Sequence, residues 1–300
     1  MAPAQSATAY NGAAPPTQNL HMKIAKGTKV FITGAASGIG RATALATAAA
    51  GCRLFLTDVN AAGLQEIVTL VAKEDGEVCA YRAFDVASYE AVKAFAAEVH
   101  QQFGALDVVM NIAGVAIWGA VEDLHHEHWV QAIQVDLMGP IHVIECFLPE
   151  MIRAGRGGHL VNVASAAGLT GAPWHGPYAT AKWGLVGLSE VLRYDLMQHG
   201  IGVTVVCPGA VETPMKLSLQ IAGVNQNSPF VQDLKRRFSQ RAIAPERVAQ
   251  QILAAISKNQ FLVITSFDIK LLYFLKRKFF PLYHYVMIRI SRLLNQAKQA

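Results

Sequence analysis

The 300-residue chain predicts an α/β fold: a doubly wound parallel sheet of seven strands with helices on both faces and a helical extension at the C-terminus. Three observations carry this expectation. Short runs rich in β-formers alternate with helix-length stretches from Lys29 onward. Several of those runs are continuously apolar, as strands buried on both faces must be. A glycine-rich turn joins the first strand to the first helix, and the second strand ends in an acid.

Taken in order, "KVFIT" is the first strand and "GRATALATAAAG" an Ala-rich helix with a glycine stop. "RLFLTD" and "NAAGLQEIVTLVAKEDG" form the next strand and helix, followed by "EVCAYRAFDV" and "SYEAVKAFAAEVHQQFG". "LDVVMNIAG" is the fourth strand, and a long helical stretch is expected from about Glu122 to Ala154. "HLVNVAS" precedes the helix "PYATAKWGLVGLSEVLRYDLMQHG", and "GVTVVCPG" precedes "PERVAQQILAAISKN". "QFLVIT" is the seventh strand. Residues 215–242 interrupt the alternation and are long for an α/β connection, which points to a lid over a pocket.

Composition bounds the rest. A hydrophobic content of 52% can bury a large core. The start, uncharged over residues 1–21 and rich in Ala, Pro, Gln and Thr, reads as a disordered leader over residues 1–25, with Met22 the natural start if "HM" is a scar. The stretch from Ile269 to Ala300 holds seven basic residues and no acid, so the net +5 of the chain leaves the first 268 residues at −2. The body is therefore slightly acidic and is not expected to bind nucleic acid. Cys52, Cys79, Cys146 and Cys207 are scattered, with no CxxC, as free thiols in a reducing compartment would be. No signal peptide or membrane-spanning run is visible, so a cytoplasmic protein is expected.

The turn "TGAASGIGRA" places Thr33, Gly34, Gly38 and Gly40 between strand and helix. Glycines let backbone approach a phosphate closely, and the helix N-terminus behind them offers N–H groups and a positive dipole end. Asp58 follows Gly40 by 18 residues, where a carboxylate can accept hydrogen bonds from both adenosine ribose hydroxyls and repel a 2′-phosphate. No Arg or Lys occupies Ser37 or Val59 to neutralise such a phosphate, so NAD is expected over NADP. A strand-terminal turn residue is the plainer alternative for Asp58.

With "TGAASGIG", the pair Asp85–Val86, "NIAG" at Asn111–Gly114, "NVAS" at Asn162–Ser165, "YATAK" at Tyr178–Lys182 and "PGAVETP" at Pro208–Pro214, the sequence resembles the short-chain dehydrogenases/reductases in their shorter single-domain form. The resemblance runs from about Lys26 to Thr265 and makes 26–266 the catalytic domain. It implies a Rossmann-type sheet of strand order 3-2-1-4-5-6-7. It implies a dinucleotide held by Gly34, Ser37, Gly38, Ile39 and Gly40, by Asp58, and by Asp85 and Val86 at the adenine. Asn111, Ala113 and Gly114 would follow along the central strand, and Pro208, Gly209, Val211 and Thr213 would face the nicotinamide. It also implies a homodimer or homotetramer.

The resemblance makes Tyr178 the general acid/base, and the chemistry agrees. A phenol with pKa near 10 is mostly protonated at neutral pH, and lowering it by two to three units takes about 3–4 kcal/mol. Lys182 stands one helical turn on, on the same face, and its ammonium favours phenolate. The family's Lys also binds the nicotinamide ribose. Ser165, 13 residues before Tyr178, is at the family's spacing for the Ser that holds the substrate oxygen. One position departs: Asp136 stands where the family has Asn. Two roles are open for Asp136, holding a proton-relay water by its carbonyl, or pairing with Lys182 and weakening its pull on Tyr178. Trp174 falls where the family's substrate wall lies and is expected to touch substrate.

His125, His126 and His128 lack the i, i+4 spacing of a zinc helix, and no metal is expected. The tail from 269 to 300 mixes aromatics with cations, and Pro281 should divide it into two helices. It suits either peripheral contact with an anionic membrane or packing on the body or across a subunit interface. With the apolar lid, it suggests a lipophilic alcohol or ketone as substrate, of steroid, retinoid or long-chain type. A dinucleotide-binding scaffold recruited to membranes by its tail is the alternative.

Overall fold

The computed structural model describes residues 22–74, 76–215, 219–225 and 227–299. Most of the expected leader lies outside them. Its last residues do not: Met22 and Ile24 pack on the core, so packed chain reaches back into the 1–25 segment.

The alternation appears as β1 (Lys29–Thr33), α1 (Gly38–Ala49), β2 (Arg53–Asp58), α2 (Ala61–Lys73), β3 (Glu77–Ala83), α3 (Tyr89–Phe103) and β4 (Val108–Asn111). It continues through β5 (Ile117–Gly119), α4 (His126–Ile133), α5 (Gly139–Ala154), β6 (Gly158–Val163), α6 (Gly176–Asp195) and β7 (Ile201–Cys207). The chain ends in β8 (Gln220–Ala222), α7 (Pro229–Arg241), α8 (Pro245–Ser257), β9 (Leu262–Ile264), α9 (Phe267–Lys278) and α10 (Phe280–Gln299). The main sheet is parallel, with order β3-β2-β1-β4-β6-β7-β9. Counting only its members, this is the expected 3-2-1-4-5-6-7.

Strand alternation divides the core. Val30, Ile32, Leu54, Leu56, Val108 and Met110 face one way and meet Ala44, Ala48, Leu64, Ile67, Val248 and Ile252 of α1, α2 and α8. Phe31, Phe55 and Val109 face the other way and meet Val92, Phe95, Val143 and Phe147 of α3 and α5. Phe31 stacks on Phe147 with ring centroids 4.5 Å apart. Each such fully buried side chain contributes about 1.5–3 kcal/mol. Caps set the helix starts: Asn60 accepts from the Gly63 amide at 3.1 Å and Ser88 from the Ala91 amide at 3.4 Å.

Two features depart from the sequence reading. β5 and β8 form a separate two-stranded parallel pair that joins the lid to the body. The long helix expected over 122–154 is broken by a π-helical turn, Gln134–Met138. Pro140 stands at the join. It has no N–H, so the Asp136 carbonyl loses the donor four residues on, and the Gly139 amide reaches back to Gln134 instead. The turn carries Asp136 inward.

Within the expected lid, β8 and α7 are described and residues 216–218 and 226 are not. Val231 of α7 packs with Leu219, Ile221, Ala120 and Trp174. The tail breaks at Phe279, and Pro281 sits in the first turn of α10, where its missing N–H costs little. No helix among the described residues is long and apolar enough to cross a membrane.

Candidate active site

The predicted site residues gather at the C-terminal ends of the parallel strands, where the order reverses between β1 and β4. Thr33 ends β1, and its hydroxyl accepts from the amides of Ile112 and Ala113 at 3.0 and 3.1 Å, tying the glycine turn to the loop that follows β4. Gly34 has φ +68, and a Cβ there would lie 2.8 Å from the Ala113 Cα, so the first glycine is required twice over. A Cβ on Gly38 would lie 2.8 Å from Thr213 Cγ2. The opening turn of α1 thus meets the segment after β7 at the Thr213 side chain, and Gly38 is the point of close approach. No acid stands in that turn, and Ser37 at its N-cap makes no side-chain cap bond. Ile39 packs partly on the core behind Gly40.

Asp58 ends β2 with its Oδ2 accepting from the Ala36 amide at 2.9 Å and its Oδ1 from the Asn60 amide at 2.9 Å. The carboxylate is thereby fixed beside the glycine turn. Asp85 caps its own turn through the Ala87 amide, and the Val86 carbonyl is hydrogen-bonded to buried His142 at 2.9 Å. Asn111 donates to Asn162, which donates to Ser189, a buried chain that braces β4 against β6 and α6. The Pro208 carbonyl accepts from Ala166, Gly209 lies against Ser266, and Val211 is buried in the core. This set suits a dinucleotide: a backbone-lined cradle at a helix N-terminus, with a fixed carboxylate at the second strand.

Ser165 follows β6, and its hydroxyl accepts from the Ala167 amide at 3.2 Å. Tyr178 and Lys182 lie on the buried face of α6, with the ammonium 5.7 Å from the Tyr178 ring centroid. The ammonium donates to the Val163 carbonyl at 3.2 Å and pairs with Asp136 Oδ1 at 3.3 Å. Asp136 is 0% and Lys182 4% exposed. The same Oδ1 accepts from the Val115 amide at 3.0 Å, while Oδ2 has no partner among the described residues. Gly114 borders the pair, since a Cβ there would lie 2.7 Å from Asp136 Oδ1.

Burial dominates the electrostatics. It pushes the Tyr178 phenol up; Lys182 opposes the rise, Asp136 adds to it, and a hydrogen bond with Ser165 lowers it. Burial drags the Lys182 ammonium down, but Asp136 and Tyr178 carry it above its ordinary value. Burial also pushes the Asp136 carboxyl up, against the pull of Lys182 and the Val115 amide. Of the two roles open for Asp136 in the sequence, pairing with Lys182 is the one its side chain performs.

Trp174 is held at φ +66, with its carbonyl taken by the Gly119 amide. Its side chain packs among lid residues, and its indole N–H reaches Asn295 of α10 at 3.2 Å. His175, whose pKa burial takes down to about 4, lies tilted against Trp118 with ring centroids 4.2 Å apart. His125 and His128 cap the start of α4, the His125 amide donating to His128 Nδ1 at 3.0 Å. Among the described residues no group of three or more His, Cys, Asp or Glu is gathered as metal ligands would be. The sequence reading did not identify the Thr33 clamp, the Val163 carbonyl or the Tyr283 hydroxyl, which accepts from Gly171 at 2.9 Å. Thr33 alone carried a local signal, its place before the first glycine.

The family model "short chain dehydrogenase" matches residues 28–222. A Bos taurus protein, dehydrogenase/reductase SDR family member 7B, is 35% identical over 236 residues, covering 77% of this chain and 71% of its own. The crystal structure of a Burkholderia phymatum short-chain dehydrogenase/reductase in complex with NAD superposes with TM-score 0.77 at 28% identity, covering 87% of this chain and 96% of that one. An alcohol dehydrogenase from Thermococcus sibiricus, complexed with 5-hydroxy-NADP, has TM-score 0.67 at 25% identity, covering 80% and 95%.

Proposed function

The chain belongs to the short-chain dehydrogenases/reductases and is an oxidoreductase that binds a nicotinamide dinucleotide, and from that premise we propose that it interconverts a lipophilic secondary alcohol and its ketone with NAD as the preferred cofactor. The observation that carries the reading is the meeting of Ser165, Tyr178 and Lys182 beside the glycine cradle. A nicotinamide dinucleotide held by the glycine turn and Asp58 would supply or accept the hydride. Ser165 holds the substrate oxygen and stabilises the charge that develops on it. Tyr178 moves the proton at that oxygen, giving it to a ketone or taking it from an alcohol. Lys182 orients and polarises Tyr178 from the next turn of the same helix.

Asp58 supports NAD over NADP, because its carboxylate is fixed at the strand end and Val59 next to it brings no cation. The apolar packing of Trp174, Leu219, Ile221 and Val231 supports a lipophilic substrate. The four free thiols support a reducing, cytoplasmic setting, and the family resemblance supports a homodimer or homotetramer. A second reading, a dinucleotide-binding scaffold without turnover, draws on the Asp136–Lys182 pair, which diverts the ammonium from Tyr178. A panel of lipophilic secondary alcohols with NAD and with NADP tests both. NAD-linked turnover supports the enzyme; nucleotide binding with no turnover across the panel supports the scaffold.

A further inference from the structure

We infer that α9 and α10 form a docking face for an anionic lipid bilayer. Helical spacing sorts the side chains of each helix into two faces. On α10, Tyr283 and Met287 are buried and Leu294 packs against the lid cluster. The Tyr283 hydroxyl accepts from Gly171, Asn295 accepts from Trp174, and Lys298 pairs with Glu122 and Asp123. On α9, Lys276 donates to the Leu169 carbonyl at 2.7 Å and lies 3.8 Å from the Trp183 ring centroid. The inner face is thus bonded to the body, and its polar groups have partners.

The outer face is different in kind. Phe267, Leu271, Phe274, Phe279, Phe280, Leu282, Tyr285 and Leu293 are all exposed, Phe267 at 79%. Between and beside them stand Lys270, Arg277, Lys278, Arg289 and Arg292, also exposed. On α10 the exposed positions Leu282, Tyr285, Arg289 and Leu293 recur at three- and four-residue spacing along one stripe. From 269 to 300 the sequence has no acid, whereas the preceding 268 residues are net −2. A neutral apolar partner would account for the aromatics but not for this segregation of charge. An anionic bilayer accounts for both: the rings enter the interface and the cations meet lipid phosphates and carboxylates. Neither helix can span a bilayer, so the helices lie on it. The inner face of the same two helices is bonded to the 169–175 segment that leads into α6, so docking of the outer face would hold that segment about one helix diameter from the bilayer.

The test is co-sedimentation of the full chain with phosphatidylcholine vesicles, with and without phosphatidylserine. It requires no turnover, so its outcome is independent of the catalytic reading. Binding is expected only with phosphatidylserine present, and it should weaken steeply with added salt. The K270Q/K278Q/R289Q/R292Q variant should lose on the order of five-fold in partitioning for each cation removed. A second variant, F274S/L282S/Y285S, should lose binding while keeping the cations. NADH binding, followed by fluorescence, verifies that both variants remain folded, and the salt titration of the unaltered chain reads the charge dependence without any substitution. Failure of the unaltered chain to sediment with phosphatidylserine vesicles overturns the proposal. So does a sedimentation-velocity result in which this face closes a dimer that both variants dissociate, with no vesicle binding.

Discussion

Replacing Asp136 by Asn removes one charge from the buried cluster while keeping the side chain's shape and its acceptor for the Val115 amide. Asp136 Oδ1 lies 3.3 Å from the Lys182 ammonium, which lies 5.7 Å from the Tyr178 ring centroid, so the carboxylate is at most about 9 Å from the ring centre. At an effective dielectric of about 20, unit charges that far apart interact by ~1.8 kcal/mol. That is somewhat more than one pKa unit. The carboxylate opposes the phenolate, so its loss lowers the Tyr178 pKa and leaves the ammonium free to act on the phenol. The assay is kcat/KM for alcohol oxidation against pH, which rises as Tyr178 deprotonates. Asp136→Asn should move that limb to lower pH by about one unit. A limb that stays put, or that moves upward because Lys182 gives up its proton, would refute the reasoning. An unchanged NADH affinity is the accompanying check that the fold is intact.

Further outcomes follow from other residues. Asp58→Ser with Val59→Arg removes a fixed carboxylate and adds a cation beside the ribose site, and should raise kcat/KM with NADP relative to NAD by at least about ten-fold, measured as the ratio of the two. Gly40→Ala would set its methyl group on the Gly34 carbonyl, so the turn must open; NADH binding should be lost and the melting temperature should fall. His159 is 0% exposed, and burial holds its pKa down at about 4 against an ordinary 6.5. The Thr204 hydroxyl gives its proton to the Gln260 carbonyl, so neutral His159 donates from Nε2 to Thr204. A depressed pKa means full stability above about pH 6.5 and progressive loss as pH falls toward 4, a difference of ~3 kcal/mol from this group. Urea unfolding at pH 7 and pH 4.5 should show that loss, and His159→Gln should flatten it.

How much of this was legible in the sequence depended on range. The seven strands of the main sheet announced themselves as short runs of β-formers, several of them continuously apolar, and "TGAASGIG" carried its own context of strand, turn and helix. Helical spacing put Tyr178 and Lys182 on one face, and the family motif with Ser165 and the glycine turn gave the pair its meaning. β5 and β8, three residues each, are too short for alternation to register, and their pairing depends on a partner about a hundred residues away. The sequence reading ran one helical stretch through Pro140, which cannot donate to the carbonyl four residues earlier, and so missed the break beside it. Asp136 stood out as a departure, but its partner could be found only by folding, because the π turn turns it inward onto Lys182. The tail showed its charge in the sequence and hid its inner face, since Tyr283, Asn295 and Lys298 find partners far away in the chain.

The central claim is that Tyr178 moves the proton in an NAD-linked oxidation or reduction. The direct measurement is kcat/KM of Tyr178→Phe against the unaltered chain, with the most active lipophilic alcohol and NAD, alongside NADH affinity. Phe keeps the buried ring and removes only the hydroxyl. The account predicts a fall of at least about 100-fold in kcat/KM with NADH affinity held within about two-fold. Turnover unchanged by the substitution would contradict it.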